Sequence, residues 1–167
     1  MSDAAPLIIV MGVSGCGKSH IGAALAQRLG LGFLDGDSLH PATNIAKMAQ
    51  GIALNDDDRA PWLDAVGGAL GAGSEVIACS ALKRSYRDRI RAAATGVVFV
   101  HLDGARDVLA QRVSQRPGHF MPPALLDSQL ATLQPLQADE AAVVVDLDQT
   151  PEQIIAAIIS TDLFGTA

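Results

Sequence analysis

Aromatic residues and cysteines are scarce in this chain of 167 residues. Aromatics make up 4% of the sequence, and the two cysteines are Cys16 and Cys79. Two cysteines are too few for a disulfide framework, which favours a reducing compartment. A chain of this length buries an ordinary hydrophobic core without disulfides or structural metals, and we expect a single domain.

The sequence also lacks an excess of basic residues and long apolar runs. Its formal net charge of −6 argues against nonspecific binding to nucleic acid or to an anionic membrane surface. No uncharged apolar run reaches the roughly 18 residues of a membrane span. Asp3 is acidic where a signal peptide carries basic residues. We therefore expect a cytoplasmic protein with no nucleic-acid or membrane partner.

Short apolar runs alternate with helical patterns along the chain. The predicted strands lie at about residues 7–11, 33–34, 75–79, 97–102 and 142–146. Helices are predicted between them, because apolar spacing and capping residues mark their starts and ends. This alternation predicts an α/β fold, a parallel sheet covered by helices on both faces. A ligand is expected beyond the carboxyl ends of the strands.

One glycine-rich segment matches G-x-x-x-x-G-K-[ST] at every position. Its residues are Gly12, Val13, Ser14, Gly15, Cys16, Gly17, Lys18 and Ser19. The backbone N–H groups of such a loop surround phosphate oxygens, and the following helix N-terminus adds positive partial charge. Lys18 is expected to reach the β- and γ-phosphates of a nucleoside triphosphate, and Ser19 to ligate Mg²⁺. The sequence therefore predicts a P-loop NTPase fold.

Other features narrow the class of nucleotide-binding protein. No N-K-x-D segment is present to recognise guanine, which argues against a GTPase. Asp146 follows an apolar run, but that run comes last in the chain, so we do not assign Asp146 to the metal. Asp35 and Asp37 end the predicted second strand, where small-molecule kinases of this fold often hold magnesium. The alternative for this acidic pair is a helix cap ahead of Pro41.

Five segments together resemble the gluconokinases of the P-loop type. They are GVSGCGKS, FLDGDSLHP, LNDDDRAPWL, CSALKRSYRD and GHFMPPALLDSQLATLQPL. The wider relatives are shikimate kinase and the nucleoside monophosphate kinases. The resemblance implies a five-stranded parallel sheet with a small lid, and ATP-dependent phosphorylation of D-gluconate to 6-phosphogluconate. The lid is expected at about residues 116–135, and a substrate-binding helical segment at about residues 40–72.

The resemblance also implies roles for residues around the phosphates. By similarity to shikimate kinase, Asp35 would hold Mg²⁺ through water, and Asp37 would accept the proton of the attacking hydroxyl or hold that hydroxyl in line. Arg112 and Arg116 would contact adenine or clamp the transferred phosphoryl group, with Arg116 counted as catalytic. Pro151 would border the adenine by analogy of fold.

Basic residues are the candidates for binding the carboxylate of a sugar acid. Arg59 is favoured because arginine grips a carboxylate with two hydrogen bonds. Lys83 and Arg87, four residues apart at the start of a basic helix, are predicted to contact the substrate together with Ser80. The alternative for this basic helix is an ordinary solvated face.

Acidic and aromatic residues complete the predicted acceptor site. Asp57 or Asp58 would bind sugar hydroxyls, although Asp58 is also a natural helix N-cap. His40 is included as a substrate-binding residue, although a structural role beside Pro41 is the simpler interpretation. His119 would contact the substrate or belong only to the lid. Two further side chains, Trp62 and Tyr86, are predicted to pack in the core, and the alternative for Trp62 is a wall of the substrate cleft.

Three further expectations concern reactivity and alternatives. Cys16 lies at a helix N-terminus, where a thiolate is stabilised, so we expect thiol reagents to modify it. The rival functions are a kinase for another small hydroxy acid such as shikimate, or a nucleotide-binding switch module. Homologous enzymes are often dimers, so a homodimer is expected, although no apolar stripe in the sequence supports it.

Overall fold

A five-stranded parallel sheet forms the centre of the computed structural model, which describes residues 6–13, 15–70, 72–114 and 123–161. The order across the sheet is β2-β3-β1-β4-β5. The strands are β1 (Ile8–Met11), β2 (Phe33–Asp35), β3 (Val76–Ala78), β4 (Val98–Asp103) and β5 (Ala142–Asp146). The predicted strands and their parallel arrangement are thereby confirmed.

Helices fill the connections between the strands of the described chain. They are α1 (Lys18–Leu29), α2 (Ala42–Ala49), α3 (Asp56–Leu70), α4 (Arg84–Ala93), α5 (Arg106–Ser114), α6 (Pro123–Thr132) and α7 (Pro151–Ile159). A 3-10 helix, Gly36–Leu39, follows β2 directly. None of the helices in the described ranges is long and apolar enough to cross a membrane.

The three central strands, β1, β3 and β4, are buried on both faces, and their residues are almost all apolar at consecutive positions. Ile8 and Val10 belong to one hydrophobic cluster, while Ile9 and Met11 belong to the other, as the alternation of side chains along a strand requires. Residues of α1, α5, α6 and α7 complete the first cluster, and residues of α3 and α4 complete the second. Helices therefore cover both faces of the sheet, as predicted.

The start of α3 differs from the prediction. Asn55, not Asp58, caps this helix: its Oδ1 accepts a hydrogen bond from the Asp58 backbone N–H at 2.7 Å. The Asp58 Oδ2 accepts one from the Asn55 N–H at 3.0 Å, which completes a reciprocal capping box. The prediction was wrong by three residues because three successive aspartates offered equivalent caps.

The position of β1 in the sheet places the glycine loop. β1 lies between β3 and β4, so its carboxyl end is at the centre of that edge of the sheet. The Gly12 N–H donates to the carbonyl of Ser80, which follows β3. Residues after β1, β2 and β3 therefore meet at one edge, where parallel sheets bind ligands.

Candidate active site

The loop after β1 has the conformation that a phosphate cradle requires. Gly12 has φ of 149°, and a Cβ there would lie 2.7 Å from Cys16 Sγ and 2.9 Å from the Leu102 carbonyl oxygen. Gly17 has φ of 88° and immediately precedes α1. Glycine is needed at both positions, and Lys18 and Ser19 open the helix whose N-terminus attracts phosphate.

The acidic pair lies beside this loop. Ser19 Oγ donates a hydrogen bond of 2.9 Å to Asp35 Oδ2. The other oxygen of Asp35 accepts a bond of 3.0 Å from the Asp37 backbone N–H, so the Asp35 carboxylate is fixed through both oxygens. Asp37 itself lies in the 3-10 helix and is exposed. The structure thus brings together Ser19 and Asp35, the two residues predicted to hold magnesium.

Arg112 reaches the phosphate loop from α5. Its Nη2 donates to the Leu147 carbonyl at 2.7 Å. Its Nη1 lies 3.9 Å from where a Cβ on Gly17 would be. A guanidinium beside the phosphate loop suits the nucleotide-binding role predicted for Arg112.

Pro151, which was predicted to border the adenine, is the first residue of α7. The N-cap of this helix, Thr150, forms a capping box with Gln153.

Four side chains from the starts of α3 and α4 form a second cluster, the cationic cluster: Asp56, Arg59, Lys83 and Tyr86. The Tyr86 hydroxyl donates to Asp56 Oδ1 at 2.6 Å and accepts from Arg59 Nη1 at 3.1 Å. Lys83 Nζ donates to both Asp56 oxygens, at 3.2 and 3.3 Å. Arg59 and Lys83 also lie 5.6 and 5.5 Å from the Tyr86 ring centroid.

Electrostatics within the cationic cluster are set by Asp56. Hydrogen bonds from Tyr86 and then Lys83 lower the pKa of the Asp56 carboxyl. The bond to Asp56 in turn raises the pKa of Lys83. Burial is the main cause that raises the pKa of the Tyr86 hydroxyl, so it remains a donor at neutral pH. The cluster therefore carries two cations and one carboxylate.

Two members of the cationic cluster were missed as functional residues. Tyr86 was predicted only to pack, and it is indeed 6% exposed, but its hydroxyl joins Arg59 to Asp56. Asp56 was treated only as part of an acidic run. These partners are 27 and 30 residues apart in the sequence, so no local spacing could reveal them.

The other two aspartates at the start of α3, Asp57 and Asp58, have different contacts from Asp56. Asp58 accepts hydrogen bonds from Lys47 Nζ at 2.8 and 2.9 Å, which ties α2 to α3. These bonds lower the pKa of Asp58. Asp57 is exposed and takes no part in the ion pairs of its two neighbours. Asp57 is thus the freer of the two to meet a ligand.

Arg87 does not belong to the acceptor site, and its prediction as a substrate contact is wrong. The side chain is 0% exposed. Its Nε donates to Glu140 Oε1 at 2.7 Å, and Glu140 is itself buried. Its Nη1 donates to the carbonyls of Ala81 and Leu82, and its Nη2 to that of Pro135. Its second Nη2 hydrogen faces Glu140 Oε2 at 3.4 Å, so no donor of Arg87 remains for a substrate.

These contacts make Arg87 a support for the segment after β3, residues 79–83, which we call the acceptor loop. Ala81 has φ of 46°, an uncommon conformation for a residue with a Cβ. The Gln134 N–H donates to the Leu82 carbonyl at 2.8 Å, and the Arg84 N–H donates to Gln134 Oε1 at 2.7 Å. The acceptor loop, with Ser80 and Lys83, is therefore held from behind by residues that follow α6.

The remaining arginines of α4 pair with aspartates and take no part in the cationic cluster. Arg84 pairs with Asp139 and Asp88, with shortest distances of 2.6 and 2.7 Å. Arg89 pairs with Asp64 at 2.7 Å, and both side chains are about half exposed. Arg91 pairs with Asp88 at 3.2 Å. Of the basic residues around α4, Lys83 alone lies in the cationic cluster.

His40 lies beside α3 and is held by two neighbours, Trp62 and Asn44. Its ring stacks on Trp62, with centroids 4.2 Å apart and an interplanar angle of 16°. Trp62 is 3% exposed, as predicted for a core residue, and its Nε1 donates to the Gly36 carbonyl at 2.8 Å. His40 Nδ1 lies 3.2 Å from Asn44 Nδ2. Burial is the main cause that lowers the pKa of His40.

The expected thiolate at Cys16 is not supported. Cys16 is 1% exposed, and burial raises the pKa of its thiol despite the nearby charge of Lys18. Burial likewise raises the pKa of Cys79 to about 12. Both cysteines are free, so neither forms a disulfide. The prediction failed because it considered the helix N-terminus and not the packing around the sulfur.

Three predicted site residues, Ser14, Arg116 and His119, lie outside the described residues. The same is true of residues 116–122 of the predicted lid, whereas residues 123–135 lie in α6 and directly after it. The lid and the single-domain organisation stay predictions.

Comparison with known proteins identifies the family. The sequence profile of the shikimate kinase family matches residues 14–162. The chain is 46% identical to the thermoresistant gluconokinase of Escherichia coli, over 92% of this chain and 91% of that protein. It is 45% identical to the gluconokinase of Gluconobacter oxydans, over 91% of this chain and 88% of that protein.

Solved structures agree with the sequence relatives. The crystal structure of a gluconokinase from Sinorhizobium meliloti is 50% identical, covers 90% of this chain and 87% of that one, and superposes with a TM-score of 0.83. An APS kinase from Mycobacterium tuberculosis, 17% identical with a TM-score of 0.68 over 97% of this chain and 99% of that one, shares the fold. The chain belongs to the gluconokinase family of P-loop kinases.

Proposed function

We propose that this protein transfers the γ-phosphoryl group of ATP to D-gluconate, giving 6-phosphogluconate. Membership of the gluconokinase family supports this activity. The observation that carries the proposal is the 2.9 Å bond from Ser19 to Asp35, because it joins the phosphate loop to the acidic segment that follows β2. Phosphoryl transfer needs both parts at one place.

The nucleotide is assigned to the phosphate loop. Gly12, Gly15 and Gly17 would provide the cradle, together with the backbone of Val13 and Cys16, and Ser14 keeps its predicted role there. Lys18 and Arg112 place positive charge beside the phosphates, while Arg116 and Pro151 keep their predicted roles at the phosphoryl group and the adenine. Catalysis of this kind is mostly positioning and neutralisation of charge.

The residues present suit magnesium. Ser19 and Asp35 offer the oxygen ligands that this ion prefers, with Asp35 acting through water. Within the described residues no group of three His, Cys, Asp or Glu could hold a metal, so phosphate oxygens and waters would complete the ligand set. When bound, Mg²⁺ neutralises charge on the phosphate oxygens.

The acceptor is assigned to Asp37 and the cationic cluster. Asp37 would accept the proton of the attacking hydroxyl. The hydrogen bond from the Asp37 backbone N–H to the Asp35 carboxylate keeps Asp37 next to Asp35, the residue assigned to Mg²⁺. Arg59 and Lys83 would bind the carboxylate, with Ser80, Asp57, His40 and His119 as candidates for the hydroxyls. Asp56 and Tyr86 would hold the two cations in place before the substrate arrives.

The rival functions are not favoured. A nucleotide-binding switch needs no acceptor site, yet two cations are held together at the starts of α3 and α4. Shikimate is not favoured as the acceptor because the gluconokinases are 45–46% identical to this chain, whereas two shikimate kinase structures of similar length are 15% identical. A cytoplasmic location and a homodimer stay predictions.

Substrate selectivity tests the proposal. A charge-assisted hydrogen bond contributes about 1.5–3 kcal/mol, so gluconate should be preferred over glucose by roughly tenfold to a few hundredfold in kcat/KM. Arg59→Ala and Lys83→Ala should reduce this ratio, mainly by weakening gluconate. Steady-state rates with gluconate, glucose and shikimate measure it.

Arg89→Ala is the matched control, because Arg89 belongs to the same basic helix but pairs with Asp64 on its exposed face. It should keep the full preference for gluconate. Equal use of gluconate and glucose by the wild type would contradict the carboxylate assignment. A preference for shikimate would contradict the proposed substrate.

A further inference from the structure

The orientation of one buried amide determines which nitrogen of His40 carries a proton. Asn44 is 2% exposed, and its Nδ2 donates to the Asp58 backbone carbonyl at 2.9 Å. A carbonyl only accepts hydrogen bonds, so the NH₂ end of the amide must face it, which excludes the flipped orientation. The identity of the Asn44 atom that faces α3 is thereby fixed.

The same NH₂ group fixes the tautomer of His40. Asn44 Nδ2 lies 3.2 Å from His40 Nδ1 and has one hydrogen left after the bond to Asp58. Because an amide NH₂ cannot accept a hydrogen bond, Nδ1 must be the unprotonated acceptor. The proton of the neutral ring therefore resides on Nε2. Among the described residues, no hydrogen bond engages Nε2.

We propose that His40 is held as the neutral Nε2–H tautomer and that it donates a hydrogen bond from Nε2 to an oxygen of the sugar-acid acceptor, with Asn44 as its positioning residue. The identity of the molecule that accepts this hydrogen bond rests on the proposed function, whereas the assignment of the His40 tautomer does not. Stacking on Trp62 fixes the plane of the ring, so the direction of the Nε2–H bond is set before the substrate binds.

The charges around His40 suit this role. The side chains of Asp37 and Arg59, both assigned to the acceptor site, are close enough for their charges to act on the ring. Asp37 favours the charged imidazolium, whereas Arg59 and burial disfavour it, and the pKa of His40 is lowered on balance. The Asp58 carboxylate is occupied by Lys47, so α3 presents only its Asp58 carbonyl to Asn44.

Protonation would also oppose the hydrogen-bond geometry. An imidazolium carries a proton on Nδ1, which would then point at the NH₂ group of Asn44. Two donors would then face each other in a part-buried place, which disfavours the imidazolium. His40 therefore offers the substrate a hydrogen-bond donor and does not itself act as a base.

The tautomer is measured directly by a long-range ¹⁵N–¹H correlation spectrum of the labelled full chain at pH 7.5, without nucleotide or sugar. His40→Gln identifies the signals by their loss. We expect a neutral ring with its proton on Nε2. A proton on Nδ1, or an imidazolium, would overturn the proposal whatever the enzyme phosphorylates.

Asn44→Asp tests whether Asn44 positions the proton. A carboxylate in place of the amide would accept a hydrogen bond from Nδ1–H, so the NMR titration of His40 should shift to higher pH than in the wild type. An unchanged His40 titration in the folded variant would overturn the role of Asn44.

His40→Gln and His40→Asn form a matched pair that survives even if Asn44→Asp does not fold. Both lose the aromatic stack, but the Gln amide extends to about the position of Nε2 and the Asn amide only to that of Nδ1. We expect kcat/KM for gluconate to fall about threefold to tenfold further in His40→Asn, the size of one hydrogen bond. Equal losses, or the reverse order, would contradict donation from Nε2.

Discussion

At the scale of single residues, the two cysteines give a prediction that reverses the one made from the sequence. Cys16 and Cys79 are each 1% exposed, and the pKa of each thiol is raised by burial. The reactive species is the thiolate. We therefore expect neither thiol to react at pH 7.5 in the folded protein, while both react once the chain is unfolded.

A chromogenic disulfide reagent measures this outcome by counting thiols with and without denaturant. The unfolded chain should give two reactive thiols, which serves as the internal control. Rapid modification of one thiol in the folded protein, with loss of activity, would restore the original expectation of a stabilised thiolate at Cys16.

Single residues also mark how far sequence reasoning reaches. Lys18, Ser19 and Asp35 could be placed because motif and strand end fix them locally, and the structure brings the last two within 2.9 Å. Asp56 could not be assigned, because its role depends on Tyr86, 30 residues away, and a sequence does not state which side chains meet across two helices.

At the scale of elements, α4 shows why spacing alone misassigns a charged face. Lys83 and Arg87 are four residues apart, but Lys83 precedes the helix as its N-cap, whereas Arg87 lies within it and faces the core. The buried partner, Glu140, lies 53 residues further along the chain. The sequence predicted the helix correctly and could not tell which of its cations would be buried.

The buried ion pair between Arg87 and Glu140 gives a prediction about stability. Removing one partner leaves an uncompensated charge in the core, so Glu140→Gln and Arg87→Met should each lower the free energy of unfolding by about 3–5 kcal/mol. Urea denaturation measures the change. The double variant Arg87→Met/Glu140→Leu should recover part of it, because no charge then remains buried.

The exposed pair on the same helix is the control for these variants. Arg89→Ala removes a salt bridge whose side chains are 48% and 53% exposed, and should cost about 1 kcal/mol or less. If the buried and exposed variants lost the same stability, the Arg87–Glu140 pair would not be the tie that holds the acceptor loop.

At the scale of the whole molecule, the titrating groups predict that the protein is labile to acid. His40 and His101 have pKa values lowered from 6.5, mainly by burial. The unfolded chain therefore binds more protons than the folded one just below pH 6.5, and the free energy of unfolding rises with pH there. It should fall as the pH drops from about 7 towards 5.

A second decrease in the free energy of unfolding should follow at lower pH. Five ion-paired carboxyls have pKa values below their ordinary 3.8, and their stabilisation disappears as they are protonated: Asp56, Asp58, Asp64, Asp127 and Asp139. Urea midpoints between pH 3 and 8 measure both phases. His40→Gln should reduce the first phase, and a flat profile from pH 5 to 7 in the wild type would contradict it.

The ties behind the acceptor loop have a consequence for how the molecule opens. Backbone and side-chain bonds join Leu82 and Arg84 to Gln134, so the acceptor loop cannot separate from the chain after α6 without breaking them. The two stretches should therefore unfold locally as one cooperative unit. In native-state hydrogen exchange, the Arg84 and Gln134 amides should show the same opening free energy. Distinct values would mean that the two stretches open separately.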